Sequence, residues 1–170
     1  MNTKELNKTL REEARFLGLC DDWYNAWKEY SQEELVERMY KGIDFVLKHH
    51  WPTNEFIKKH FKQDFLRTNG VFVDDKYSAC NTPESLVLGN SDMRFRYSGK
   101  YYGNINLRDN STTHITAKGV GLLIVHMFDS ATVKVEQLEK AKVVVIKHSR
   151  NVGIDAPPDV KVKEEYDYLT

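Results

Sequence analysis

The side chains best suited to chemistry in this 170-residue chain are six histidines, two adjacent aspartate pairs and a set of alternating cations in the C-terminal half. A helical metal pair needs histidines at i, i+4. His49 and His50 are adjacent, so on a helix they diverge and serve the C-terminal dipole and solvent instead. His60 has no cysteine or second histidine at ligand spacing. Asp21-Asp22 and Asp74-Asp75 fall in loops, where capping and turn formation explain them, and neither has calcium-loop spacing. Asp109, Asn110 and Asp129 could hold a cation only if their oxygens converged, and the glycine-aspartate nonapeptide of calcium-binding β-rolls is absent. No P-loop, dinucleotide fingerprint, serine elbow or cysteine-histidine signature occurs. No catalytic residue, metal ligand or cofactor is assigned.

Two sets of residues acquire meaning only once the elements carrying them are placed. One is the cationic set Arg94, Arg96, His114, Lys118 and Lys134; the other is His126 and His148 with their apolar neighbours. Both lie in a ten-residue beat from about Met93 to Ile154. Phe95, Ile105, Ile115, Val125, Val135 and Val145 form one column at ten-residue intervals, flanked two positions away on each side by columns that agree with it. Fourteen of these eighteen positions are apolar, against three of the twelve between them, which reads as strands with one buried face.

Ten-residue spacing alone also suits a sandwich of hairpins, so the turns decide. Gly89-Asn90-Ser91, Asp109-Asn110-Ser111, Asp129-Ser130-Ala131 and His148-Ser149 form one series at about twenty residues, and Ser98-Gly99-Lys100 with Lys118-Gly119-Val120 forms another. Twenty is therefore the true repeat, and a flattened solenoid with two strands per coil is preferred. About four coils at roughly 4.8 Å spacing give a stack about 20 Å high.

One face of this solenoid carries strands near 93–97, 113–117 and 133–137. It presents Arg94, Arg96, His114, Thr116, Lys118, Lys134 and Glu136 outward. Such a stripe can meet phosphate groups, although the simpler reading is a solvated sheet face, and no aromatic stacking platform stands beside it. The other face carries strands near 85–88, 103–107, 123–127 and 143–147. Its outward positions start polar at Asn104 and Asn106 and become apolar at Ile124, Phe128, Val144 and Ile146, around His126 and His148. Strands apolar on both sides are buried on both sides, so this part is expected to be an interdomain or partner face covered by the N-terminal helices. Strict register pairs His126 with Ile146 and Phe128 with His148, which makes the histidines diagonal neighbours. They are read as half-buried imidazoles satisfying backbone groups, with a pH-sensitive contact or ligand site as the alternative.

The N-terminal third reads as helices. Leu6, Leu10, Ala14 and Leu17 recur at helical spacing over 3–17, and Gly18-Leu19 resembles a Schellman stop. Trp23, Tyr24, Trp27 and Tyr30 form an aromatic cluster read as core rather than as a ligand platform. Ser31 and Glu34 form a capping box opening one helix that carries Leu35, Met39, Ile43, Val46 and Leu47 and ends near Pro52. A further helix runs from Asn54 to about Phe61. Pro157-Pro158 and Glu164-Glu165, beside a last strand around 160–162, suit the blocking of one solenoid end.

Composition narrows the classes. With 25 basic and 25 acidic side chains, nothing global draws the chain to nucleic acid or anionic lipid. No apolar run of membrane-spanning length occurs, and a cytoplasmic location without membrane contact is expected. Cys20 and Cys80 lack metal-type spacing and do not make a disulfide framework.

The runs Leu17-Gly18-Leu19-Cys20-Asp21-Asp22-Trp23, Gly42-Ile43-Asp44-Phe45, Trp51-Pro52-Thr53-Asn54-Glu55-Phe56-Ile57, Gly70-Val71-Phe72-Val73-Asp74-Asp75 and Lys147-His148-Ser149 span most of the chain. In them the chain resembles an uncharacterised group of short proteins common in gut Bacteroidetes genomes and mobile elements. The resemblance implies a helical head joined to a short repetitive β tail, and carries over no activity and no functional residue.

The expected architecture is α+β: a helical module at 1–68 packed on a short β-solenoid of about 20 residues per coil, with a C-terminal tail, at 69–170. The expected function is that of a non-catalytic binding or assembly protein acting through the solenoid surface or ends, with a homo-oligomer or protein partner. Two alternatives stand beside it: nucleic-acid or phosphate-ligand binding through the basic face, and a small hydrolase at the helix-solenoid seam.

Overall fold

The computed structural model describes residues 1–167, so the last three positions of the expected tail lie outside the described residues. The chain divides into two compact units, Met1–Phe65 and a second beginning at Leu66, three residues earlier than the boundary read from the sequence.

The first unit is helical: α1 (Thr3–Phe16), α2 (Asp21–Asn25), α3 (Gln32–Lys41), α4 (Ile43–His49) and α5 (Asn54–His60), with α6 (Gln63–Thr68) running across the boundary. α1 starts at a capping box in which Asn2 and Glu5 exchange side-chain to backbone bonds. It stops in a Schellman turn, Leu19 N–H donating to Ala14 C=O at 2.9 Å, with Gly18 at φ +96°. Its buried stripe includes Asn7, whose amide bonds Tyr30 C=O at 2.7 Å while its carbonyl accepts from Tyr30 N–H and Trp27 Nε1. A buried amide satisfied on both sides fixes the path of the aromatic segment against α1.

The single helix expected after Ser31 is two helices. The capping box forms, but the chain breaks at Gly42, whose backbone (φ −108°, ψ 35°) leaves the helical region. Apolar periodicity runs through the break, so only the glycine marks it. Thr53 caps α5 by accepting from Phe56 N–H.

The second unit is a β-solenoid of about four turns with roughly 20 residues per coil. Its strands are β1 (Val71–Val73), β2 (Lys76–Cys80), β3 (Glu84–Leu88), β4 (Asp92–Tyr97), β5 (Lys100–Leu107), β6 (Thr112–Ala117), β7 (Val120–Met127), β8 (Thr132–Gln137), β9 (Lys142–Lys147), β10 (Gly153–Asp155) and β11 (Lys161–Glu164). All pairings are parallel, in a six-stranded sheet β1-β3-β5-β7-β9-β11 and a five-stranded sheet β10-β8-β6-β4-β2. Ile105 pairs with Val125 and Val125 with Val145, as Phe95 pairs with Ile115 and Ile115 with Val135, so the apolar columns become vertical stacks inside the coil. β2, β10 and α6 were not read in the sequence.

The corners repeat with the coils. Gly89, Asp109 and Asp129 all take left-handed backbone (φ 66°, 62° and 53°), and each carboxylate accepts the N–H of the corner before it: Gly89 N–H to Asp109 at 2.6 Å, Asp109 N–H to Asp129 at 3.1 Å. Asp109 and Asp129 therefore act as corner ties. At the coil interior Gly103 is required by close approach, since a Cβ there would lie 2.6 Å from Leu123 and 3.2 Å from the Tyr97 ring. Among the described residues no helix is long and apolar enough to cross a membrane.

Candidate functional site

The basic face is the outer surface of the five-stranded sheet, and the register converts the sequence list into rungs. Arg94, His114 and Lys134 are successive neighbours across β4, β6 and β8; Arg96, Thr116 and Glu136 form the adjacent row; Lys118 follows β6 at the next corner. Carboxylates invisible as partners in the linear sequence stand between these cations. His114 Nε2 lies 3.3 Å from Glu136, Lys118 Nζ 3.4 Å from Glu139, Lys134 Nζ 3.9 Å from Asp155, and Lys76 Nζ 3.1 Å from Asp92. Among the described residues Arg94 and Arg96 form no ion pair and are the cations left over. Arg94, His114 and Lys134 border a shallow depression of about 490 Å³ whose remaining walls include the hydroxyl pair Thr112 and Thr132, 3.1 Å apart.

On the outer face of the six-stranded sheet, Ile124 pairs with Val144 and His126 with Ile146. Ile124 and Val144 are half-buried, while Phe128 and Ile146 are buried. His148 comes diagonally beside His126, with Nδ1 of His126 2.9 Å from Nε2 of His148, and the Phe128 ring stacks on His148 at 4.5 Å. His148 Nδ1 lies 2.8 Å from the carbonyl of Glu165, which can only accept. In neutral His148 the hydrogen is therefore on Nδ1, Nε2 is the acceptor, and His126 Nδ1–H donates to it. Burial lowers the His148 pKa below its ordinary value, with the carbonyl bond opposing that shift. The pair is a tautomer-locked hydrogen-bond chain, suited to holding the Glu165 backbone against the last coil.

Arg108, which sequence reasoning passed over, is almost fully buried just beyond β5, 3.3 Å from Asp109. Desolvation lowers its pKa while Asp109 and Asp129 raise it, and a guanidinium remains charged under either influence. Its position next to the Asp109–Asp129 corner explains why that corner carries acids.

The helical unit holds an apolar cavity of about 340 Å³. Trp23, Trp27, Phe45 and Trp51 form much of its wall, with Arg38 and Asp44 as its charged side chains. α2, the segment after it, α4 and the turn before α5 each contribute one of these aromatics. Trp27 and Trp51 meet edge-on at 6.3 Å, and Phe45 meets Trp51 edge-on at 5.5 Å. In the sequence Trp23 and Trp27 read as filled core, and no spacing connects Trp51 or Phe45 with them. No family model matches this chain, nor does any curated protein or solved structure.

Proposed function

We propose that the protein is a non-catalytic binding protein that works through its solenoid, with the outward face of the five-stranded sheet as its contact surface. The observation that supports this reading is the pair Arg94 and Arg96, two guanidiniums on alternate residues of β4, hence on one face, with no acidic partner among the described residues. A guanidinium offers a rigid fork of donors matched to carboxylate or phosphate oxygens. Acidic side chains already stand beside its neighbours, Glu136 by His114, Glu139 by Lys118 and Asp155 by Lys134, so the face favours a short acidic group over a long polyanion, which needs a continuous cationic stripe.

The test is fluorescence anisotropy with a labelled oligo-glutamate and with single-stranded DNA over a salt series. The expected result is saturable oligo-glutamate binding that Arg94→Glu with Arg96→Glu abolishes. A log-log salt slope near about −2 fits two arginine contacts, whereas a slope steeper than about −3 with DNA supports the nucleic-acid reading through Lys118 and Lys134. Absence of binding to either probe at low salt removes the proposal. A second reading, assembly through a solenoid end, is favoured by the exposed edge strand β2, and a mass above that of the monomer by light scattering supports it.

A further inference from the structure

We propose that the aromatic cavity of the helical unit is a binding site for a small, flat, largely apolar molecule carrying one anionic acceptor such as a carboxylate. Well-packed aromatic cores leave few voids larger than a water molecule. Here the rings meet edge-on and still enclose about 340 Å³. A cavity of about 150 Å³ already takes a benzene, so this one suits a fused bicyclic ring with a short substituent.

One donor selects the polar end of the occupant. Arg38 lines the same cavity. Its guanidinium lies over the rings of Trp23 at 5.1 Å and Tyr30 at 4.7 Å and donates to the Tyr30 hydroxyl, but forms no ion pair among the described residues. This stacking fixes the plane of the fork and leaves further N–H groups for a carboxylate. Asp44 is exposed at the same cavity, where water screens it; it disfavours a second negative charge on the occupant.

All three tryptophans of the chain line this cavity, so the indole N–H region of a proton-nitrogen NMR spectrum reports on it directly. The probes are 2-naphthoate and the neutral 2-naphthylmethanol, titrated into the full chain with calorimetry in parallel. We expect 2-naphthoate to shift the Trp51 indole resonance and to bind more tightly than the alcohol. Arg38→Met should weaken 2-naphthoate by at least about tenfold while leaving the alcohol nearly unchanged. Arg38→Lys keeps the charge and removes the planar fork; it too should weaken 2-naphthoate, and it carries the test if Arg38→Met fails to fold by circular dichroism. Indole resonances unmoved by either probe at about 1 mM would overturn the proposal. Equal affinity for the two probes, or indifference to both substitutions, would do the same. So would indole shifts that follow protein concentration without any probe, because a second copy would then be filling the cavity.

Discussion

Three equivalent residues, Ser91, Ser111 and Ala131, sit one above another at the same solenoid corner, and all are buried. Their surroundings differ in one respect. The Ser91 hydroxyl donates to Leu88 C=O at 2.7 Å and accepts from Asp75 N–H at 3.1 Å, whereas the Ser111 hydroxyl has no partner among the described residues. A satisfied buried hydroxyl stabilises modestly, and an unsatisfied one costs its desolvation. Ser91→Ala should therefore lower the unfolding free energy by about 1–2 kcal/mol, while Ser111→Ala should raise it by about 0.5–1 kcal/mol. Urea titrations of the two variants decide the point; equal effects would mean that both hydroxyls see the same environment. The Ser91 bond to Asp75 also ties the first coil to a bidentate ion pair, Arg67 with Asp75 at 2.7 and 2.8 Å, whose carboxylate is almost fully buried. The aspartate read as a turn residue is thus half of a structural clamp. Its partner on α6 could not be found without the fold.

At the scale of the element, the second series of corners shows where sequence and backbone disagree. Gly99, Gly119 and Glu139 occupy equivalent left-handed positions with φ of 76°, 97° and 60°. Two coils use glycine there and the third uses a glutamate that gains a surface contact with Lys118 at 3.4 Å. Left-handed backbone costs a residue with a Cβ about 1–2 kcal/mol, and a solvent-exposed ion pair returns less than about 1 kcal/mol. Allowing for the extra freedom of glycine in the unfolded chain, Glu139→Gly should stabilise by about 0.5 kcal/mol. Gly119→Ala should destabilise by about 2 kcal/mol or more, because its Cβ would lie 2.5 Å from the Gly99 carbonyl oxygen. Thermal unfolding of both variants tests this, and a lower melting temperature for Glu139→Gly would sink it. The corners and columns were legible because parallel stacking forces every structural need to recur at twenty residues. β2 was hidden because its inward residues Tyr77 and Ala79 pair with Met93 and Phe95 at a spacing of sixteen rather than twenty, and the break at Gly42 because Leu35, Met39, Ile43 and Val46 keep helical spacing through it. Alternation of Arg94 with Arg96 placed them on one face, yet which cations Glu136, Glu139 and Asp155 would pair with depended on register. The cavity was illegible for another reason: an aromatic cluster reads the same in sequence whether its centre is filled or empty.

Taken as a whole, the solenoid is a one-dimensional stack in which each coil is stabilised by the coils above and below it. β5, β6 and β7 have hydrogen-bonded neighbours on both sides, and Ile105, Ile115 and Val125 on them are fully buried. β1, β2, β10 and β11 are edge strands with one neighbour each; β1 is buried, whereas β2 and β11 are largely exposed. β11 is held mainly by its ladder to β9 and by the bond from Lys147 Nζ to Glu164 at 2.9 Å, a contact open to water. Opening should therefore begin at the edges and move inward, rather than occur everywhere at once. Native-state hydrogen exchange should show the amides of Ile105, Ile115 and Val125 exchanging at least about tenfold more slowly than those of Val162 and Lys163. Adding a low concentration of urea should accelerate the edge amides first. If all the strands instead share one exchange rate and one urea dependence, the coils form a single cooperative block, and the edge strands are too firmly held to serve as places where another chain can add.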